Sequence, residues 1–259
     1  MLTLFAESKT MSDRLSQVSM NEFETHKPCF EANANAIISF ILSQNPGELS
    51  SRIGISPALA SKAIKMAYDF TFKNTGLQAI SAFTGEVFRS LDINTIPASA
   101  ISEADQRFII VSSLYGILKP SDIIKPYRLD YNKDCSPDGS NLIEYWNPIV
   151  TKSIVSRLEA TGEQEILNLL PGYAAKFIDW KIIKNHANVL KPDFKTIDKS
   201  GLIKTPHSGK LKALRGKMIR IILMQNICSF KKLMDSDSNM LCYDENLSKP
   251  GQPVFLALG

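Results

Sequence analysis

Apolar residues recur along this 259-residue chain with two different periods. Short continuous runs at Leu2 to Ala6, Phe108 to Leu114 and Ile166 to Leu170 predict strands buried on both faces, the last ended by Pro171-Gly172. From Glu31 to Gln44, Ala34, Ile37, Ile38 and Ile41 return at helical spacing until Asn45-Pro46-Gly47 stops them. Asn141 to Leu158 predicts a helix with Tyr145, Trp146, Ile149 and Ile154 inward and Pro148 in its first turn or at a kink. Gly209 to Phe230 predicts the last long helix, with Leu211, Leu214, Met218, Ile221 and Ile222 on its inner side. Glu86 to Ser90 reads as a short strand or apolar core segment, and Lys199-Ser200-Gly201 between Phe194–Asp198 and Leu202–Thr205 reads as a hairpin turn.

These elements mix without a strict strand-helix-strand rhythm, so the expected class is α+β (mixed α/β) rather than doubly wound. Neither a Pro/Gly/Ser-rich linker nor a repeat divides the chain, which predicts one compact domain over residues 1–259. A central mixed sheet with surrounding helices and a small helical insertion near the N-terminal third is expected. Within that insertion, residues about 49–72 resemble a helix-hairpin-helix: two helices meet at Ile53-Gly54-Ile55, and Ser56 and Pro57 suit the cap and first position of the second. Such a hairpin offers backbone amides to a DNA phosphate without reading bases. The same pattern fits a helical hairpin packed into the core. Arg52, Lys62 and Lys65, with no acid between Leu49 and Met66, favour phosphate.

Charge is sorted along the chain. The window Lys199 to Met234 has no Asp or Glu and carries nine of the 30 basic residues, leaving 21 against 26 acidic residues elsewhere. On the predicted last helix, Lys210, Lys217 and Arg220 gather on one flank, Lys212 projects from the other and Arg215 borders the apolar stripe. A basic helix face normally carries acids as partners for its lysines; without them it predicts an anion-binding surface.

The other unusual block runs from Leu114 to Asp130, where an apolar strand enters a loop stiffened by Pro120 and Pro126 and carrying Lys119, Asp122, Lys125, Tyr127 and Arg128. An Asp122–Arg128 ion pair pinning the loop is the plainest expectation. If the chain is an enzyme, Asp122, Tyr127 and Arg128 are the candidate catalytic groups, with Lys9, Lys212 and Arg215 completing an anion-holding pocket. No Walker loop, GxGxxG, GxSxG or metal-ligand spacing is present, and no Glu-x-x-His run that would hold iron, so no cofactor or metal is expected. Cys29, Cys135, Cys228 and Cys242 lie far apart, as reduced thiols do. The apolar start ends at Glu7 with no basic residue before it, which predicts no secretory leader, and no window is long enough to span a bilayer.

Leu114-Tyr115-Gly116-Ile117-Leu118-Lys119-Pro120-Ser121-Asp122 followed by Pro126-Tyr127-Arg128-Leu129 resembles the signature of the YaaA family of bacterial peroxide stress proteins. Further pieces match in order: Lys9-Thr10, Ala82-Phe83 through Gly85, Val87-Phe88, Tyr145-Trp146, Asn168-Leu169, and Lys212 through Arg215-Gly216, Met218 and Arg220. The resemblance implies a cytoplasmic protein that limits peroxide damage and binds duplex DNA through a helix-hairpin-helix and a positive groove. Two segments depart from the family pattern: Ala6-Glu7-Ser8-Lys9 in place of Ser-Pro-Ala-Lys, and Leu170-Pro171-Gly172-Tyr173 after Asn168-Leu169. Because the basic elements persist while these groups change, binding is expected over catalysis. The expected partner is double-stranded DNA, held mostly without sequence preference, with no membrane or protein partner evident. The candidate contacts are Lys9, Arg52, Gly54, Ser56, Lys62, Lys65, Lys119, Lys125, Arg128, Lys210, Lys212, Arg215, Lys217 and Arg220. The alternative is an enzyme acting on a phosphorylated or nucleotide-like small molecule in a basic pocket.

Overall fold

The computed structural model describes residues 1–12, 25–72, 76–198 and 201–257, so the hairpin residues Lys199 and Ser200 lie outside the described residues. The chain begins with β1 (Leu2–Ala6), then the helices α1 (Glu31–Leu42), α2 (Pro46–Ile53) and α3 (Pro57–Phe72). β2 (Leu77–Gln78), α4 (Ala79–Ala82), α5 (Glu86–Leu91) and α6 (Ala98–Ala104) lead to β3 (Phe108–Ser112), β4 (Gly116–Leu118) and β5 (Ile123–Ile124). The long α7 (Leu142–Thr161) precedes β6 (Glu165–Asn168), α8 (Trp180–Ile183), β7 (Asn188–Leu190), β8 (Asp193–Ile197) and β9 (Ile203–Lys204). α9 (Ser208–Met224), α10 (Phe230–Met234), β10 (Leu241–Lys249) and β11 (Gln252–Ala257) follow. This is a mixed α+β architecture.

The central sheet has the order β4-β3-β1-β6-β7. β1 runs parallel to both β3 and β6, β6 parallel to β7, and only β4 is antiparallel. Strands covered on both faces can be apolar throughout, and every residue of β1 and β3 is buried. Burying each such Leu, Ile, Val or Phe side chain contributes roughly 1.5–3 kcal/mol. From β1 the chain first adds strands on one side and later returns to the other, so the strand order switches direction at β1. A second sheet, β10-β11-β8-β9, and the short β2-β5 pair lie outside this one.

Three expected elements are redrawn. Asn45-Pro46-Gly47, read as a stop, is also a start: Asn45 Oδ1 accepts from Glu48 N at 2.9 Å while Glu48 Oε2 accepts from Asn45 N at 3.2 Å, a capping box that opens α2 at once. Glu86–Ser90 is not a strand but the helix α5, because Phe88 and Leu91 are buried three residues apart, a spacing that six residues cannot separate from a strand run. The last long helix ends at Met224, where Asn226 takes a left-handed φ of 46° and Ser229 caps a separate α10 by accepting from Lys232 N at 3.3 Å.

Two distant pieces of the signature prove to be packing partners. Gly116 sits at φ 68°, and a Cβ there would lie 2.6 Å from the Trp146 ring. Gly216 on α9 lets α5 approach until an added Cβ would meet Val87 O at 2.1 Å. Gly216→Ala therefore separates α5 from α9 and should destabilise the fold by about 1–3 kcal/mol in urea unfolding. A midpoint unchanged from the wild type would show that the two helices are not in this contact.

Candidate functional site

The carboxyl ends of parallel strands form one edge of a sheet, and the crevice where strand order switches is where open α/β sheets place ligands. Here β1 delivers Glu7 to that edge, β3 delivers Ser113 and β6 delivers Leu169, with Ala6 opposite Val111 and Leu4 opposite Asn168 in the register. Glu7 N donates to Val111 O at 3.0 Å, which sets the direction of its side chain. The carboxyl is then enclosed by hydroxyls: Ser113 Oγ donates to Oε1 at 2.5 Å and Tyr127 Oη donates to Oε2. Ser112 Oγ lies 2.7 Å from Tyr127 Oη, and Tyr131 Oη donates to Val111 O at 2.6 Å. Burial pushes the Glu7 carboxyl up to about 7 against the partial opposition of these hydrogen bonds. Burial also holds the Tyr127 and Tyr131 phenols well above their ordinary range, with the neighbouring Glu7 adding to the effect, so both stay protonated.

Tyr127 and Tyr131 thereby fasten the proline-stiffened loop to the sheet edge. The chain after β1 is fastened as well, since Ser12 N donates to Ala82 O at 2.8 Å and Thr84 N to Thr10 O at 3.0 Å. Lys9 Nζ pairs with Asp130 at 2.6 Å and Lys9 O accepts from Arg128 Nη1 at 3.1 Å. No Asp122–Arg128 pair is present. Asp122 instead accepts from Lys119 N at 2.8 Å, and burial, with like charge from Asp105, lifts its carboxyl to about 6. Asp122 closes the turn, and neither it nor Lys119 lines either of the cavities described next.

Two cavities adjoin at Lys9, Thr10, Leu129 and Asp130. The larger, of about 530 Å³, lies between the hairpin and the loop and is lined by Lys9, Lys62, Lys125, Arg128 and Lys133 among others. Besides the engaged Lys9 and Arg128, Lys125 Nζ donates to Phe70 O at 2.8 Å and Lys133 Nζ to Ile53 O at 2.5 Å, holding the carboxyl ends of α3 and α2. The smaller cavity, of about 220 Å³, is lined by Glu7, Lys9, Tyr173, Lys212 and Arg215 with apolar walls from Phe5, Phe88 and Leu169.

α2 and α3 do form a helical hairpin. Gly54 adopts φ 60° at the turn, and Ser56 Oγ accepts from Leu59 N at 3.3 Å at the head of α3. Lys62 and Lys65 are exposed and make no hydrogen bond or ion pair among the described residues. Arg52 is exposed too, but rests 5.3 Å above the Phe40 ring and reaches Gly139 O at 3.4 Å. On α9, Arg220 is consumed by Leu91 O, Asp92 O and Thr95 Oγ1 at 3.0, 3.2 and 2.7 Å. Lys210 and Lys217 line neither cavity, whereas Lys212 and Arg215 both face the smaller one. Pattern reading had not singled out Glu7, Tyr173, Asp130 or Lys133 as functional. For Glu7 the available signal was a charged residue immediately after a fully apolar parallel strand.

The sequence profile described as "Peroxide stress protein YaaA" matches residues 1–247. This chain belongs to the YaaA family. Its relatives include a "UPF0246 protein" of Shewanella oneidensis, 30% identical over 99% of this chain and 98% of the relative. A "UPF0246 protein" of Idiomarina loihiensis is 32% identical over 90% and 91% of the two chains, and one of Shewanella halifaxensis is 35% identical over 73% and 72%. In this chain the residues of the YaaA signature make defined contacts: Tyr127 lies beside Ser112 and binds Glu7 at the sheet edge, Gly116 receives Trp146, and Arg215-Gly216 presents its arginine to a cavity while its glycine receives α5. Glu7 and Tyr173, one from each segment that departs from the family pattern, line the same small cavity. Among the described residues no helix is long and apolar enough to cross a membrane.

Because Glu7 binds its proton more tightly folded than at the ordinary value of 4.5, the folded chain holds a proton that the unfolded chain releases between pH 4.5 and about 7. Stability from this group is therefore full below 4.5 and lost as pH rises through 7. Urea unfolding of Glu7→Gln, which keeps the size but not the titration, should show the wild type losing a few kcal/mol relative to the variant between about pH 5 and pH 8. Parallel pH profiles for the two proteins would rule out a proton on Glu7. Asp122 titrates in both proteins and cancels in the comparison.

Proposed function

We propose that this protein acts under peroxide stress by holding the phosphate backbone of duplex DNA along the hairpin and the rim of the larger cavity. The observation that carries the reading is the pair of exposed, unengaged ammonium groups on α3, Lys62 and Lys65, standing beside the Ser56-capped turn. Lys62 opens onto the cavity that also receives Arg128 and Lys9, so a strand crossing the hairpin meets further positive charge in the same direction. An ammonium already paired with a carboxylate gains little from a phosphate, so Lys62 and Lys65 contribute more than Lys9, whose partner is Asp130. Contacts of this kind position a duplex without reading its bases. Covering the backbone would shield it from oxidants generated nearby, in keeping with the peroxide stress named for the family.

Fluorescence anisotropy with a duplex of about 20–30 base pairs at about 50 mM salt should give association that weakens with salt, with a log–log slope of about −0.9 per phosphate neutralised. Replacing Lys62 and Lys65 by Gln should reduce that slope by about two and weaken binding evenly across unrelated sequences. Binding that is absent at low salt, or identical in the double variant, contradicts the reading.

A further inference from the structure

The smaller cavity contains a positive charge that the protein itself does not answer. Arg215 is half-buried in its wall and makes no hydrogen bond or ion pair among the described residues. Burial lowers the affinity of its guanidinium for a proton, and the Tyr173 phenol beside it opposes that effect. Tyr173 is itself held above its ordinary range by burial and so stays neutral near pH 7. A buried guanidinium without a carboxylate is costly unless something anionic completes it. Lys212, one helical turn earlier on the same face of α9, is exposed at the cavity mouth.

The same cavity is lined by Glu7, whose carboxyl is fixed by Ser113 and Tyr127 at the carboxyl end of β1, the strand where the sheet order switches. Phe5, Phe88 and Leu169 give part of the wall an apolar surface, Ser8, Thr10, Glu86 and the Lys9–Asp130 pair line the rest, and at about 220 Å³ the space is far too small for a duplex. We propose that this cavity binds a small organic oxyanion, a carboxylate or phosphate ester on a short apolar body, with Arg215 and Lys212 holding the anionic end and Glu7 donating a hydrogen bond to the other. The site stands on observations separate from those behind DNA binding. It gives the chain a small-molecule function that the hairpin does not require.

Protonation matters to this fit. The groups facing Glu7 are the hydroxyls of Ser112, Ser113, Tyr127 and Tyr131, with Tyr173 and Asp130 beyond them. The tyrosines remain neutral, Asp130 is paired with Lys9, and Glu86, which α5 contributes to the cavity wall, is paired with Arg89. Glu7 is therefore the group whose ionisation places a negative charge opposite the bound anion as pH rises, so the anion binds better at pH 6 than at pH 8.

The test is isothermal titration of the full chain with inorganic phosphate and, separately, acetate, each at constant ionic strength against a chloride control, at pH 6 and pH 8. Binding of at least one anion is expected, for acetate tighter at pH 6, weakened about tenfold or more in Arg215→Gln and several-fold in Lys212→Gln. It should be unaltered in Lys152→Gln, which is exposed on α7 and lines neither cavity, and phosphate against acetate distinguishes the two kinds of anionic end. Lys212 is exposed, so its variant reports on the site even if Arg215→Gln does not fold. Acetate keeps the same charge from pH 6 to pH 8 whereas phosphate itself ionises further, so Glu7→Gln should bind acetate with no difference between the two pH values. The inference is overturned if neither anion binds the wild type, if the Arg215 and Lys212 variants bind as the wild type does, or if a pH dependence of acetate binding survives in Glu7→Gln.

Discussion

One carboxyl group organises this molecule. Glu7 leaves the end of the central strand and is met by Ser113 from the neighbouring strand and Tyr127 from the proline-stiffened loop. Remove that junction and the loop loses its tie to the sheet edge, and with it the position of Arg128 against Lys9 and of Asp130 at the boundary of the two cavities. The group is expensive to hold there, since burial raises its proton affinity until the charged form is only half populated near pH 7. Such a cost is found where a site is built more often than where a fold is merely stabilised.

The cations around this junction sort by what already occupies them. Lys125 and Lys133 cap helix carbonyls, Arg220 is bound to the turn between α5 and α6, and Lys9 is paired. Lys62, Lys65, Lys212 and Arg215 make no such bonds among the described residues. These four fall into two groups that differ physically. The α3 pair is exposed and fully hydrated, suited to a long polyanion whose counterions it displaces. The α9 pair combines one exposed and one half-buried charge at a concave wall, suited to a ligand that is itself taken out of water. The cavity beside the hairpin and the smaller cavity adjoin at Lys9 and Asp130.

Much of this was legible in the chain itself. The apolar runs at Leu2–Ala6 and Phe108–Val111, the period of α1 and α9 and the Gly54 turn each mark an element through local preference, and the structure has these elements. Where local preference was ambiguous the reading slipped: six residues at Glu86–Leu91 have no resolvable period, and the break after Met224 depends on one left-handed asparagine. The site was harder to read because it is assembled across the fold. Arg220 and Arg215 look alike along the helix, yet the first meets three acceptors contributed by residues 91–95 and the second none. Glu7 looked like the polar end of a strand, and its meaning comes from the parallel register that brings Ser113 beside it and from a tyrosine 120 residues away.

The most direct test follows the Glu7 carboxyl itself. In protein labelled with carbon-13 at glutamate carboxyls, the resonance that disappears in Glu7→Gln should titrate with a midpoint near 7. A midpoint near the ordinary 4.5 would mean that water reaches the carboxyl freely, and the desolvated junction on which this account rests would not exist.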